Sequence, residues 1–221
     1  MLSPMLFGAA VFGGAASAFL PRIAQRLAVP AGAAPRSTCA NCAKFDPAWV
    51  RVGAPCGCQA VPWRPVVAGA GAAGLLGAPV LLPAVVLGVL LAMIDLRCRR
   101  LPDPLVAVLA LLTVVPLGVL AEPGQLVRAV LAAGLSFTAY TMVAILPGGG
   151  LGFGDVKLAT VLGFVLGFYG WPALVLGLIL PHLINGPIAL FLLLTGRVRR
   201  RSALPFGPAL LAGALVGVVF A

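Results

Sequence analysis

The chain has 221 residues, of which 62% are hydrophobic and only 9% are charged, and it carries a formal net charge of +10. Soluble domains have about a quarter of their residues charged, so this composition excludes an ordinary soluble domain and predicts an integral membrane protein. The long apolar runs lack the alternating pattern of an outer-membrane barrel, so we predict an all-α polytopic protein whose segments cross the bilayer as helices.

The basic residues account for the positive charge without a nucleic-acid partner. They fall almost entirely in the short segments between apolar runs, which is the positive-inside pattern of membrane proteins. All of them except Arg128 can be placed on one side of the membrane, which we take as the cytoplasmic side. We therefore expect membrane lipids as partners and no nucleic acid.

Residues 1–20 are predicted to form the first transmembrane helix, with the amino terminus outside. Ala16-Ser17-Ala18 imitates a signal-peptidase site, but no Lys or Arg precedes the apolar run and several follow it, which reverses the charge order of a signal peptide. Residues 21–64 are the sizeable polar segment of the chain, and we predict a cytoplasmic loop there. Residues 65–221 are then the membrane-embedded core.

The apolar run 66–94 is long for one crossing and short for two. A single crossing would place Arg97, Arg99 and Arg100 outside. Two short helices, hinged near Gly77-Ala78-Pro79, return these arginines to the cytoplasm, so we predict two crossings. The remaining helices are predicted at 104–121, 126–146, 156–171, 173–195 and 206–221, which gives about eight crossings with both ends outside.

Two acidic residues stand where predicted helices meet the cytoplasmic face. Asp95 closes the third helix, and Asp155 follows a loop with five glycines in the seven residues 148–154. Carboxylates at the edge of a bilayer are costly and commonly functional. Two closely spaced carboxylates share a proton, and such a pair can activate water and protonate a leaving group. The structural alternatives are that Asp155 caps the next helix and that Asp95 pairs with the neighbouring arginines.

Two further polar residues have structural interpretations. Asp103 precedes Pro104 at a predicted helix start, so we interpret it as the N-cap, followed by proline at the first helical position. His182 is the only histidine and follows Pro181 inside a predicted helix, where we expect a packed, hydrogen-bonded side chain.

The segments around the acids resemble a known family. Gly152-Phe153-Gly154-Asp155-Val156-Lys157 resembles the GxGDxK signature of the type IV prepilin leader peptidases, a branch of the GxGD aspartic membrane proteases that includes archaeal preflagellin peptidases and presenilins. Asp95 followed by Leu101-Pro102-Asp103 is similar to the family's first aspartate motif. Residues 14–42 and Leu204-Pro205-Phe206-Gly207-Pro208 are similar to its first helix with a basic turn and to its last-helix element, so the resemblance covers most of the chain.

The resemblance implies a GxGD aspartyl protease-like helix bundle in the bacterial cytoplasmic (inner) membrane, with its active site at the cytoplasmic face. The implied enzyme is an aspartic endopeptidase that removes the leader from type IV prepilin-like or pseudopilin-like substrates, each a basic leader followed by an apolar helix. Proteolysis of this kind requires no cofactor. The implied catalytic pair is Asp95 and Asp155, and the residues implied to shape the site are Gly152, Gly154, Lys157 and Asp103.

Four cysteines in the polar loop form a candidate metal site. Cys39-x-x-Cys42 and Cys56-x-Cys58, with thirteen residues between the two pairs, come close to the ligand spacing of tetrahedral zinc. A cytoplasmic location argues against disulfides. The second pair has one intervening residue where zinc ribbons usually have two, so unliganded thiols are the alternative. Many prepilin peptidases with two Cys-x-x-Cys pairs also methylate the new amino terminus with S-adenosylmethionine; here the loop is shorter and the second pair is altered.

A small proton-coupled or cation-coupled transporter is the alternative function. It would bind its ion with Asp95 and Asp155 at broken helices, and it predicts polar groups along a path through the membrane. The polar residues instead cluster on the cytoplasmic side, which favours the peptidase. A scaffold whose acids only cap helices would tolerate Asp155→Asn.

Overall fold

The computed structural model describes residues 2–30, 33–37, 64–76, 79–146, 151–195 and 205–220, and every regular element within these ranges is helical. The chain divides into two compact units, Met1–Cys98 and Arg99–Ala221. The first unit contains α1 (Leu2–Ser17), α2 (Leu20–Leu27), α3 (Arg64–Leu76), a 3₁₀ turn (Pro79–Leu81) and α4 (Leu82–Cys98). The second contains α5 (Asp103–Leu120), α6 (Pro123–Ile145), α7 (Phe153–Tyr169), α8 (Trp171–Leu194) and α9 (Gly207–Val219).

Small residues bring α1 and α3 of the first unit together. A Cβ atom at Gly13 would overlap the carbonyl group of Gly69, and a Cβ atom at Gly74 would lie 3.2 Å from that of Ala10. Close helix approach of this kind is how membrane helices gain packing energy, because lipid supplies no hydrophobic drive for their association.

The chain bends by 45° between α1 and α2. Pro21 stands in the first turn of α2, where proline is tolerated because its missing N–H would have had no partner within the helix. Helix α2 covers the beginning of the segment that the sequence predicted as a polar loop, and it buries Arg22 and Arg26. The first apolar run is therefore followed by a short helix that is set at an angle to α1.

The apolar run 66–94 forms two separate helices. Helix α3 ends at Leu76, and a 3₁₀ turn beginning at Pro79 leads into α4. The predicted hinge at Gly77-Ala78-Pro79 falls between these two helices, and Gly77 and Ala78 lie outside the described residues. Whether each helix crosses the membrane stays a prediction.

Helix α7 is the core of the second unit, since it packs against α5, α6, α8 and α9. Its buried positions run from Val156 to Gly167. The contact with α6 depends on glycine: a Cβ atom at Gly163 would overlap the hydroxyl of Ser136, and one at Gly167 would overlap Ala132. The Ser136 hydroxyl donates to the Ala132 carbonyl at 2.8 Å, so this buried polar group is satisfied within α6.

The carboxyl end of α7 is capped from α6. Arg128 donates from Nε to the Gly167 carbonyl and from Nη2 to the Phe168 carbonyl, each at 2.7 Å. Gly170 follows with φ of 148°, a conformation that side-chain-bearing residues rarely adopt. The cation satisfies carbonyls that α7 leaves open and opposes the negative end of its dipole.

Three described helical segments are long and apolar enough to cross a membrane: Asp103–Leu120, Pro123–Ile145 and Trp171–Phe191. The bent pair α1–α2 would be a fourth if it acts as one span. The part of the chain that the structure describes is therefore all-helical, as in a polytopic membrane protein. The count of eight crossings and the outside amino terminus stay predictions.

Gly167→Ala should weaken the α6–α7 contact. The new methyl group would overlap the Ala132 side chain and lie 2.9 Å from the Ala129 Cα. Overpacking of this kind costs about 1–3 kcal/mol, which a lowered midpoint of unfolding in detergent micelles would reveal.

Gly134→Ala is the matched control for this substitution. A Cβ atom at Gly134 on α6 meets nothing within 4 Å, and alanine favours a helix over glycine by about 1 kcal/mol. We expect this variant to unfold at the wild-type midpoint or above it. Equal loss of stability in both variants would contradict the close α6–α7 approach.

Candidate active site

Asp155 lies in the first turn of α7, the helix that the rest of its unit surrounds. Gly152 is the N-cap residue and is extended, with φ of −79° and ψ of 150°. The Asp155 Oδ2 atom accepts the backbone N–H of Gly152 at 3.2 Å. A carboxylate three residues into a helix satisfies an N-terminal donor and favours the positive end of the helix dipole. Since Gly152 has no side chain, the reciprocal hydrogen bond of a capping box cannot form.

Asp155 therefore caps α7, as the structural alternative predicted, but it does so from inside the first turn and not from the N-cap position. The sequence placed the start of this helix at Val156, whereas α7 starts at Phe153 and includes Gly154. Asp155 is a half-buried residue of the first helical turn, so the helix determines its backbone conformation.

Gly154 allows the segment before α5 to approach α7 closely. A Cβ atom at Gly154 would lie 3.1 Å from the Leu101 Cβ and 3.4 Å from the Leu101 carbonyl oxygen. Leu101 is buried, with 8% of its surface exposed, so it has little room to move away. The structure therefore packs Leu101-Pro102-Asp103 against the glycine-aspartate segment, and the two sequence motifs meet within one unit.

Asp103 is not the N-cap of α5, and that interpretation of the sequence was wrong. Pro102 occupies the N-cap position, and its carbonyl accepts the N–H groups of Leu105 and Val106 at 3.0 and 3.1 Å. The Asp103 carboxylate instead pairs with Lys157, with 2.8 Å between Oδ2 and Nζ. The carboxylate therefore pairs with a cation that is distant in the sequence and does not bond to the backbone N–H groups of its own helix.

The Asp103–Lys157 ion pair joins the two motifs without holding them tightly. The side chains of Lys157 and Asp103 are 49% and 65% exposed. Exposed ion pairs contribute about 0–1 kcal/mol, because water screens them and both side chains lose freedom. The pair links α7 to the start of α5, while packing at Gly154 positions the backbone.

Asp95 belongs to the first unit and lies in the last turn of α4. It is only 3% exposed and follows the fully buried Leu91 and Ile94 on that helix. Burying a carboxylate is costly unless it is paired or hydrogen-bonded. The chain has only five acidic residues, and it buries one of them at this helix end. Its pairing with Asp155, in the other unit, stays a prediction, and so does its pairing with arginine.

The predicted zinc ligands Cys39, Cys42, Cys56 and Cys58 lie outside the described residues, so zinc binding stays a prediction. Among the residues that the structure describes, no group of three or more His, Cys, Asp and Glu could hold a metal ion. Cys98 forms no disulfide, and its thiol donates to the Ile94 carbonyl of its own helix at 3.2 Å.

His182 is hydrogen-bonded, as its sequence position predicted, but its side chain is exposed and not packed in the interior. Its Nδ1 atom lies 2.9 Å from the Leu178 carbonyl oxygen one turn earlier. Its ring lies 5.6 Å from that of Tyr140 on α6 and 5.2 Å from that of Phe206, just before α9. Sequence reasoning assigned no role to Tyr140, a buried residue that links α6 to α8 and to the Pro-Phe-Gly-Pro element.

Comparison with known proteins agrees with the motif geometry. Residues 80–221 match the model of the type IV leader peptidase family. A stretch of 89 residues is 39% identical to a prepilin leader peptidase/N-methyltransferase of Bacillus subtilis, covering 40% of this chain and 34% of that protein. The alignment thus spans about a third of the relative's length. No solved structure matches the chain.

Gly154→Ala should disturb the site more than Gly152→Ala does. At Gly154 the added Cβ atom would press against the buried Leu101, whereas at Gly152 it would make an ordinary 3.5 Å contact with the Asp155 carboxylate. We expect Gly154→Ala to lower the free energy of unfolding by roughly 1 kcal/mol or more, measured in detergent micelles.

Gly152→Ala serves as the control because its backbone angles suit any residue. Its unfolding midpoint should fall less than that of Gly154→Ala, because the only change is to a poorer N-cap residue. A larger loss of stability in Gly152→Ala than in Gly154→Ala would contradict the close packing of Leu101 against Gly154.

Proposed function

Because the chain belongs to the type IV leader peptidase family, we propose that it is an aspartic endopeptidase that removes the cytoplasmic leader from type IV prepilin-like or pseudopilin-like substrates. One observation carries the proposal: the Leu-Pro-Asp segment packs on the first turn of α7 beside Asp155. Two motifs far apart in the sequence thus meet on the helix turn that carries Asp155. The name of the Bacillus subtilis relative supports the same activity.

In the proposed mechanism Asp95 and Asp155 act as a pair at the cytoplasmic edge of the membrane. Two nearby carboxylates cannot both ionise easily, so the pair holds one proton near neutral pH. The ionised partner takes a proton from water as the water oxygen attacks the scissile carbonyl carbon. The protonated partner then gives its proton to the leaving nitrogen. The apparent pKa values belong to the pair and not to one residue.

The proposed substrate reaches this pair from the side, through the bilayer. Phe153 is 64% exposed and lies two residues before Asp155, so it offers an apolar contact at the entrance to the site. Gly152 is exposed as well, and the absence of a side chain leaves room for a peptide backbone. An apolar substrate helix would contact Phe153 while its basic leader stays in the cytoplasm.

The proposed setting is the bacterial inner membrane, with eight crossings and the amino terminus outside. The distribution of Lys and Arg supports this orientation, since only Arg128 falls on the outer side. In this orientation Arg128 has a structural role, since its hydrogen bonds cap the carboxyl end of α7 on the outer side.

Zinc and S-adenosylmethionine remain secondary parts of the proposal. Zinc would bind the thiolates of Cys39, Cys42, Cys56 and Cys58, and methylation is suggested by the name of the Bacillus subtilis relative. The proposed proteolysis uses neither, since the two acids supply both the base and the acid. Membership of the peptidase family gives the transporter alternative no support.

Asp95→Asn and Asp155→Asn should each abolish leader removal. An amide can neither take the proton from water nor share one with its partner, so we expect a loss of at least about 100-fold in cleavage. The measurement is mass spectrometry of the mature amino terminus of a prepilin co-expressed with each variant.

Glu122→Gln is the matched control, because Glu122 is an exposed acid at the start of α6. It should process the substrate at the wild-type rate. Asp103→Asn should lose less than tenfold, since its ion pair is exposed and weak. Full processing by Asp95→Asn or by Asp155→Asn would exclude the paired-acid mechanism.

A further inference from the structure

The first unit contains a pocket of about 240 Å³ lined by Gln25, Ala28, Arg36 and Arg97. Gln25 and Ala28 come from the carboxyl end of α2, Arg36 from the segment 33–37, and Arg97 from the last turn of α4. The volume is many times what one water needs. Two guanidinium groups and no carboxylate stand among these described lining residues, so the pocket is suited to an anion.

Backbone contacts hold both arginines at the walls of the pocket. The Arg36 N–H donates to the Arg26 carbonyl at 3.0 Å, which folds the segment 33–37 back onto α2. The Arg97 Nη1 donates to the Pro21 carbonyl at 3.4 Å, a long contact that links α4 to α2. The two cations therefore converge because of the fold of this unit.

The two positive charges act on each other. Arg97 lies beyond the apolar segment 66–94, and much of its side chain is accessible to solvent. The pKa of Arg97 is nevertheless lowered, first by partial desolvation of its guanidinium and second by the positive charge of Arg36. Arginine stays protonated in proteins, so this repulsion persists at neutral pH. An anion between the guanidinium groups would relieve it and accept charge-assisted hydrogen bonds.

Gln25 adds an acceptor to the pocket. Its side-chain oxygen is buried and has no hydrogen-bond partner among the described residues. A buried acceptor without a donor is destabilising, so a ligand with a hydroxyl group would be favoured there. The chemistry of the lining thus combines two cations with one acceptor.

We propose that this pocket binds the phosphate of an anionic phospholipid whose headgroup carries a hydroxyl, such as phosphatidylglycerol. The phosphate would lie between Arg36 and Arg97, and the hydroxyl would donate to Gln25. A lipid fits better than free phosphate because the apolar helix α4 leads directly to the pocket, and Leu96, next to Arg97, is 62% exposed. Basic clusters at the cytoplasmic surface attract anionic lipids.

A bound headgroup would fasten the start of the polar segment to the membrane surface. Segment 33–37 leads into the cysteine-containing part of the chain. The lipid would hold this segment against α2 by its charge. This proposal concerns the first unit and does not depend on the peptidase activity.

The test titrates delipidated full-length protein in detergent with phosphatidylglycerol or with phosphatidylcholine of the same acyl chains, and counts bound lipid by native mass spectrometry. We expect the wild type to prefer phosphatidylglycerol. The double variant Arg36→Gln/Arg97→Gln should lower its affinity for phosphatidylglycerol by roughly 25-fold, at about fivefold per arginine. Arg64→Gln, an exposed arginine of the same unit outside the pocket, should change the affinity less than twofold.

Two results would overturn the proposal: equal binding of both lipids by the wild type, or an equal loss in Arg64→Gln. An inorganic phosphate arm separates the two sources of phosphate, because binding of phosphate without any preference for phosphatidylglycerol would rule out the lipid. If the double variant fails to fold, Arg36→Gln alone provides the test, since its backbone bond to Arg26 needs no side chain. An unchanged affinity in that variant would equally contradict the proposal.

Discussion

The second unit depends on one constraint: α7 must be packed by other helices along its length and still present a carboxylate at its first turn. The packing requires residues without side chains at the contacts, which Gly163 and Gly167 supply against α6. Arg128 closes the far end of the helix. A helix held in this way cannot easily rotate or slide, so the position of Asp155 is determined by contacts distributed over the whole of α7.

At the amino end of α7, packing and polar contacts have different tasks. Gly154 lets Leu101 approach and thereby fixes the backbone, whereas the hydrogen bond to Gly152 and the Asp103–Lys157 ion pair orient side chains. Both polar contacts are at least partly exposed, so each contributes little to stability. The polar groups near Asp155 therefore remain accessible to water and to a substrate while the backbone stays rigid, which suits a hydrolytic site.

Much of the fold followed from the sequence, because long apolar runs predict helices and charge predicts their ends. The wrong predictions arose where a residue contacts a partner that is distant in the sequence and the local pattern suggested a nearby one. Glycines before Asp155 indicated a loop, yet tertiary contacts continue α7 through Gly154. Asp103 had the pattern of an N-cap, but its partner Lys157 lies 54 residues later and no local pattern reveals it. The capping role of Arg128 was missed for the same reason. The cysteine site and the pairing of the two acids stay predictions.

We propose that Asp95 and Asp155 share one site, and cysteine cross-linking tests this claim most directly. In a variant whose native cysteines are replaced by serine, Asp95→Cys and Asp155→Cys would be introduced together and treated in native membranes with a short thiol-reactive cross-linker. The account predicts efficient cross-linking of this pair and none between Asp95→Cys and Glu122→Cys, because Glu122 is predicted on the outer side. Cross-linking of the two aspartate positions at no more than the level of that control pair would contradict the claim.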